Sequence, residues 1–346
     1  MIVALTPLRI SFCGGGSDFF DFYSRHLAKV CSVTINKYVY VIVNQRYDDK
    51  IYVNYTKKEI VNSIEDIQHE LVRECLKKVG IAKGIEITTL SDIPSEGSGL
   101  GSSSSLVVCL LNAFYNFVGN PQTKETLAVE ANEIEICNCN RPMGIQDAFA
   151  ASYGDLRSYT FGVKRSEGLP FVYDHGERFS TIEKKPKVNE KMLHNFKEHL
   201  MLIWTGTTRK SSEVLEEQKK RTANLENDHF LNEMVSMVDV FINHLERGEF
   251  DHCGLLFHEA WKLKKNISSN ISNCQIDTIY DGLLRLGALG AKVCGAGNGG
   301  FILAYVPPAH QTVVRNYVSV MELREMPFDF DRMGTRILLN NPASPW

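Results

Sequence analysis

What this chain of 346 residues lacks narrows its role before any motif is considered. It has no apolar run near the roughly 18 residues needed to span a bilayer, so no membrane contact is expected. Its opening, Met1-Ile2-Val3-Ala4-Leu5-Thr6-Pro7, carries no basic lead-in and no small-residue cleavage site, and a cytoplasmic location is expected. Neither sign of charge is in surplus: 38 Lys and Arg against 41 Asp and Glu leave −3, with the basic residues scattered, which argues against a nucleic-acid partner. The nine cysteines are odd in number, widely spread and never arranged as C-x-x-C, so neither a disulfide framework nor a zinc or redox site is expected. There is no internal repeat and no low-complexity tract. An apolar content of 44% fits an ordinary soluble globular protein.

What is abundant is glycine and serine in one place. Pro94-Ser95-Glu96-Gly97-Ser98-Gly99-Leu100-Gly101-Ser102-Ser103-Ser104-Ser105 runs straight into a helix, predicted from Leu106, Val107, Leu110, Leu111, Phe114 and Val118 at spacings of three and four. Small residues let backbone approach an anion, and a helix start offers unpaired N–H groups and the positive end of its dipole. The segment reads as a polyphosphate cradle. It lacks the Lys-Ser/Thr ending of an ordinary P-loop, and flexible linkers do not open into an amphipathic helix.

At this length two domains are the default. Strands are predicted at Ile2 to Leu5, Val33 to Val43, Ile51 to Tyr55 and Ile85 to Leu90, with a helix from about Ile64 to Val79 ended by Gly80. A helix from about Lys124 to Cys137 carries Leu127, Ala131 and Ile134 on one face, and short strands follow at Leu156 to Phe161 and Phe171 to Tyr173. The polar, proline-broken stretch Lys184 to Asn189 divides the chain into domains 1–188 and 189–346. Beyond it come a strand at Leu200 to Trp204 and helices at about Ser212 to Arg247 and Asp251 to Lys264, separated at Gly248. A helix at Asp277 to Leu289 and a strand at Phe301 to Val306 follow. Strands and helices mix without strict alternation, which makes the fold α+β.

Two further glycine motifs flank the serine loop. In the first, a strand from Pro7 breaks into Gly14-Gly15-Gly16 and ends on Ser17-Asp18. Such a turn brings backbone close to a ligand, although Asp18 alone is equally consistent with an ordinary turn. The other, Gly290 to Phe301, contains a literal G-x-G-x-x-G at Gly295, Gly297 and Gly300. A dinucleotide fingerprint follows a strand and opens a helix, whereas these glycines follow a predicted helix and open a strand. Nicotinamide chemistry is not expected.

Taken in order, the three motifs resemble those of the GHMP small-molecule kinases. Pro7 to Asp18 is similar, without a gap, to galactokinase's Pro-Gly-Arg-Val-Asn-Leu-Ile-Gly-Glu-His-Thr-Asp; Gly97 to Ser103 is similar to the Gly-x-Gly-Leu-Gly-Ser-Ser loop, and Gly295 to Gly300 to the Gly-Ala-Gly-Gly-Gly-Gly ending. Asn298 departs from the usual glycine, and an extra residue sits between Pro94 and Gly97. Asn tolerates left-handed backbone, so the turn is expected to survive. The resemblance spans nearly the whole chain. It implies a two-domain α+β fold, an N-terminal domain with a left-handed crossover and a ferredoxin-like C-terminal domain, with the site between them. Within the family, Thr6-Pro7-Leu8-Arg9-Ile10-Ser11, Gly14 to Asp18, Gly97 to Ser105 and Gly144-Ile145-Gln146-Asp147 are similar to the D-glycero-D-manno-heptose 7-phosphate kinases. That subgroup phosphorylates the anomeric hydroxyl, giving the 1,7-bisphosphate used for nucleotide-activated heptose. Fucose, glucuronate and galactose kinases remain alternatives, as does a non-catalytic regulator that binds sugar and ATP.

The resemblance implies ATP and Mg²⁺ as cofactors and assigns roles. Gly97, Ser98, Gly99, Leu100, Gly101, Ser102, Ser103 and Ser104 hold ATP; Ser103 and Glu135 ligate Mg²⁺; Gly15, Gly16, Ser17 and Asp18 bind the sugar. Asp147, in a loop after Pro142-Met143-Gly144, is the catalytic base, and Arg9 keeps it ionised while stabilising the transferring phosphoryl group. Taken alone, Glu135 is better read as a solvated helix position beside Glu130 and Glu133. Tyr38, Tyr40, Trp204, Trp261 and Trp346 are expected to pack. A phosphorylated sugar also needs an anion site, for which Thr208 and Arg209, just before a predicted helix, are candidates. A capped helix start explains them equally well, and Arg141, Lys264 and Lys265 are rivals. The implied partners are a small sugar phosphate and ATP, with a homodimer left open.

Overall fold

The computed structural model describes residues 1–94, 97–162, 171–174, 177–207 and 211–341. In the first half, β1 (Ile2–Cys13), α1 (Phe20–Tyr23), β2 (Ala28–Gln45), β3 (Ile51–Asn54) and β4 (Lys58–Val61) lead through a 3₁₀ turn at Ile64–Asp66 into α2 (Glu70–Val79) and β5 (Ile85–Ser91). Next come α3 (Ser102–Phe117), α4 (Lys124–Asn132), α5 (Gln146–Tyr153), β6 (Leu156–Gly162), β7 (Phe171–Asp174) and β8 (Glu177–Lys184). β2 is the spine of the sheet. One of its edges pairs with β1, and the other is shared end to end by β5, against Val39–Gln45, and β6, against Ala28–Val33. Among the described strands only β3 and β5 pair in parallel, and the crossover between them runs through β4 and α2.

The second half contains α6 (Glu190–Glu198), β9 (Leu200–Trp204), α7 (Ser211–Ala223), α8 (Asp228–Arg247), α9 (Phe250–Lys265) and α10 (Cys274–Arg285). β10 (Gly290–Val293), β11 (Phe301–Tyr305), α11 (Pro308–Val320), β12 (Arg324–Glu325) and β13 (Arg336–Asn340) complete it. From β9 onward the elements run strand, helices, two strands, helix, strand, and the antiparallel sheet has the order β10-β11-β9-β12, the ferredoxin-like arrangement. β13 then crosses back to pair with β1.

Several elements differ from their sequence expectations for identifiable reasons. β1 does not stop at Leu5; it continues through Pro7 because a register shift between Pro7 and Leu8 accommodates a residue with no N–H to donate. The expected helix from 212 to 247 is two helices, α7 and α8, with Leu225 in left-handed backbone at the corner. The last turns of the expected 124–137 helix widen into a π-helical segment at Glu133–Asn138. Asp147 stands in the first turn of α5 rather than in a loop, where the helix dipole favours a carboxylate. The final glycine motif joins two strands, β10 and β11, so it follows a strand, yet it opens no helix and the dinucleotide reading still fails.

β1 is buried on both faces, and its alternation divides the labour. Leu8, Ile10 and Phe12 join a core with Phe196, Leu202, Phe241, Phe257 and Leu303 from the second half. Phe12 lies 5.3 to 5.7 Å, ring to ring, from Phe196, Phe241 and Phe257. This aromatic cluster fixes the second half against the strand that carries Arg9. The other core packs α2 to α5 on the large sheet through residues such as Val41, Val72, Leu110 and Phe149. Trp261 is buried and Trp204 packs against Phe301 with the rings tilted, 4.9 Å between centroids, as expected of packing aromatics. Tyr38 and Tyr40 pack 6.0 Å apart, ring to ring. All nine cysteines are free thiols. No helix among the described residues is long and apolar enough to cross a membrane.

Candidate active site

The serine loop ends on Gly101, the left-handed N-cap of α3, so Ser102, Ser103 and Ser104 form the first turn, where N–H groups have no partner within the helix. The glycines on either side of the seam exist for close approach. Gly99 has φ +76°, and a Cβ there would collide with the Cys294 carbonyl; a Cβ on Gly295 would come within 2.5 Å of the Gly99 Cα. Backbone therefore lies directly on backbone between the second and third motifs. Phe301 N–H also donates to Ser98 O at 3.2 Å. Asn298 holds the left-handed conformation (φ 63°) that the turn demands, as anticipated.

Arg9 projects from β1 into this seam, 4% exposed. Its Nε and Nη2 donate to the two Asp147 carboxylate oxygens at 2.7 and 2.6 Å, and its Nη1 donates to Gly99 O at 2.8 Å. The pair is bidentate, the strongest geometry open to these groups. Burial works against the guanidinium charge, but the Asp147 carboxylate outweighs it and lifts the Arg9 pKa above its ordinary value.

Glu135 is fully buried at the π-helical widening, a distortion that favours functional sites. Ser103 Oγ donates to its Oε1, and Ser104 Oγ to its Oε2 at 2.5 Å. Arg141 donates to Ser103 Oγ at 2.6 Å and stands 3.8 Å from the carboxylate. Burial, opposed by the two serine hydroxyls, raises the Glu135 pKa. A buried carboxylate and two hydroxyls form a set of hard oxygen donors that fits Mg²⁺.

Asp18 closes the opposite side of the site. Its carboxylate accepts N–H bonds from Gly16 at 2.9 Å and Gln146 at 3.2 Å, and burial, then Asp147, raises its pKa. Ser17 is buried and donates to Gly14 O at 2.8 Å, so it shapes the turn. Ser11 Oγ and Gln146 Nε2 face Gly15, and Ser11 Oγ and Gln146 Oε1 are buried with no hydrogen-bond partner among the described residues. Neither was singled out from the sequence, although both lie inside quoted motifs; no spacing rule distinguishes a lining serine from a strand serine. Lys292, also overlooked, betrays itself only as a lysine inside the buried strand Gly290–Val293. The structure thus brings together Arg9, Gly15, Gly16, Ser17, Asp18, Gly97 to Ser104, Glu135 and Asp147. Thr208 and Arg209 lie outside the described residues.

Residues 64–155 match the family described as GHMP kinases N terminal domain, and residues 245–320 match GHMP kinases C terminal. The chain belongs to the GHMP kinases. A curated relative of this GHMP kinase is the D-glycero-alpha-D-manno-heptose 7-phosphate kinase of Campylobacter jejuni, 27% identical over 96% of this chain and 97% of the relative. The Pyrococcus furiosus galactokinase is 27% identical over 88% and 89% of the two chains. Among solved structures, a D-glycero-D-manno-heptose 1-phosphate kinase from Bacteroides thetaiotaomicron shares the fold with a TM-score of 0.74 at 22% identity, covering 98% of this GHMP kinase and 99% of that chain.

Proposed function

We propose that this GHMP kinase transfers the γ-phosphoryl group of ATP to the anomeric hydroxyl of D-glycero-D-manno-heptose 7-phosphate, giving the 1,7-bisphosphate. The observation that carries the reading is the buried bidentate Arg9–Asp147 pair at the Gly99 carbonyl, between the serine loop and the turn of Asp18. Asp147, the proposed catalytic base, accepts the sugar hydroxyl proton as its oxygen bonds to the γ-phosphorus and the bond to the departing ADP breaks. Arg9 orients that carboxylate through two hydrogen bonds and stabilises charge on the transferring group. The serine loop and the α3 N-terminus hold the triphosphate. Ser103 and Glu135 would hold Mg²⁺, which supplies positive charge against the phosphates.

Gly15, Gly16, Ser17 and Asp18 form the sugar side, where Ser11 Oγ and Gln146 Oε1, without partners among the described residues, would meet sugar hydroxyls. The heptose assignment is supported by the near full-length match to the Campylobacter jejuni relative. The test is ATP consumption across heptose 7-phosphate, free heptose, fucose, galactose and glucuronate. The heptose 7-phosphate is expected to show the highest kcat/KM. A free sugar that outperforms it would overturn the assignment, and no turnover with any of the five would overturn this sugar-kinase reading.

A further inference from the structure

Two lysines of the second half end in the seam, and neither has a carboxylate ion pair among the described residues. Lys292, on β10, is 4% exposed and donates to the Ser11 and Phe12 carbonyls at 3.0 and 2.8 Å, tying β10 to the end of β1. Lys264, in the last turn of α9, is 8% exposed and spends one of its three N–H donors on the Gly295 carbonyl. Gly295 rests on Gly99, and Gly99 O accepts from Arg9. The Lys264 ammonium therefore stands behind the same layer of backbone as the proposed reaction centre.

The charges that face it do not balance. Arg9 from β1 and Lys292 from β10 repel it; Asp18 from the first glycine turn and Cys294 from the third act in its favour, but burial raises the Cys294 pKa and keeps that thiol neutral. Three cations, Arg9, Lys264 and Lys292, thus share two carboxylates, and Asp147 is already committed to Arg9. Burial, with Lys292 adding to it, brings the Lys264 pKa down to about 7. An uncompensated buried ammonium is costly unless a ligand brings the missing charge.

We infer that Lys264 is a ligand for a phosphate dianion bound at the seam, carried either by the phosphorylated sugar or by the nucleotide. The inference rests on the proposed kinase reaction, and it supplies the anion site that a phosphorylated substrate requires. Lys265, the neighbouring rival, instead stands 3.7 Å from Asp277 and is far more exposed.

The test is isothermal titration of wild type, Lys264→Met and Lys264→Arg with heptose 7-phosphate, free heptose and, separately, a non-hydrolysable ATP analogue, with melting curves as a folding control. For the sugar source, Lys264→Met weakens heptose 7-phosphate roughly ten- to hundredfold, as expected for loss of a charged hydrogen bond. Free heptose and the nucleotide are unaffected, and Lys264→Arg recovers part of the loss. The same loss confined to the nucleotide supports the inference with ATP as the source. Unchanged affinity for both phosphorylated ligands overturns it, as does an equal loss for free heptose. A wild type that fails to bind heptose 7-phosphate overturns the heptose assignment instead, while the nucleotide arm still decides the role of Lys264.

Discussion

Asp147 and Glu135 lie twelve residues apart and both reach the start of α3, yet their surroundings are opposite. Asp147 is neutralised by two hydrogen bonds from one guanidinium. Glu135 is held by two neutral hydroxyls, with its nearest cation among the described residues, Arg141, 3.8 Å away and about one-third exposed. An arginine-paired carboxylate is held in one orientation and presents its free lone pairs to a hydroxyl proton. A buried carboxylate among hydroxyls is short of positive charge and has the donors a hard cation wants. The comparison teaches that the two acids are separated by their partners, which divides the proposed roles of base and metal ligand between them.

The strongest way to break this comparison is Asp147→Asn. The amide keeps the shape but cannot take a proton, so kcat is expected to fall by about 10² to 10⁴, the range for a lost general base. Nucleotide affinity, read by titration, should stay within about twofold of wild type, since the serine loop is untouched. A kcat within a few-fold of wild type would remove Asp147 from the base role and leave Arg9–Asp147 as a structural pair.

Glu135→Gln tests the other half. If Glu135 holds magnesium, the half-saturating Mg²⁺ concentration should rise roughly tenfold, and excess metal should restore part of the rate. Unchanged metal dependence would return Glu135 to a structural role. Stability gives an independent reading. The folded-state pKa of Glu135 is raised, so its protonated form favours the fold at low pH and that contribution is lost as pH climbs through the folded value. The variant is neutral throughout and escapes the loss. In chelator, the wild-type Tm should therefore fall relative to Glu135→Gln as pH rises from the free glutamate value, about 4.3, through the raised folded value. Added Mg²⁺ should raise the wild-type Tm more than the variant's.

How much of this contrast was legible beforehand depends on the kind of signal. The three glycine motifs were readable because backbone contact demands glycine, and Gly99 against Cys294 and Gly295 against Gly99 are those contacts. The mixed α+β class followed from periodicity. The surroundings of Glu135 were not readable: a π-helical widening leaves no mark in hydrophobic spacing, so the residue looked like one acid among Glu130 and Glu133. Its proposed role came from family resemblance alone. Asp147 reads as a loop residue because Pro142 and Gly144 mask a helix that starts two residues later. The charge imbalance around Lys264 was invisible because α9, β10 and β1 meet only in three dimensions.

The smallest expected effect, and the finest test of the comparison, is Arg141→Met. Arg9 grips Asp147 with both arms of a buried guanidinium, whereas Arg141 is about one-third exposed, donates to Ser103 Oγ at 2.6 Å and divides its charge between Glu70, at 3.7 Å, and Glu135, at 3.8 Å. Partly exposed ion pairs contribute little, commonly about 1 kcal/mol or less. If Glu135 awaits a metal, Arg141 competes for the same serine oxygen and repels the incoming cation. Removing it should lower the half-saturating Mg²⁺ concentration, by about two- to fivefold on that energy scale. If Arg141 is instead the true counter-charge of Glu135, its loss should leave the carboxylate stranded, lowering the Tm in chelator without improving metal affinity. A rise in the KM for ATP with unchanged metal dependence would place Arg141 on the nucleotide phosphates. Metal titration and melting curves on this one variant therefore decide whether Glu135 is short of positive charge, as its contrast with Asp147 requires.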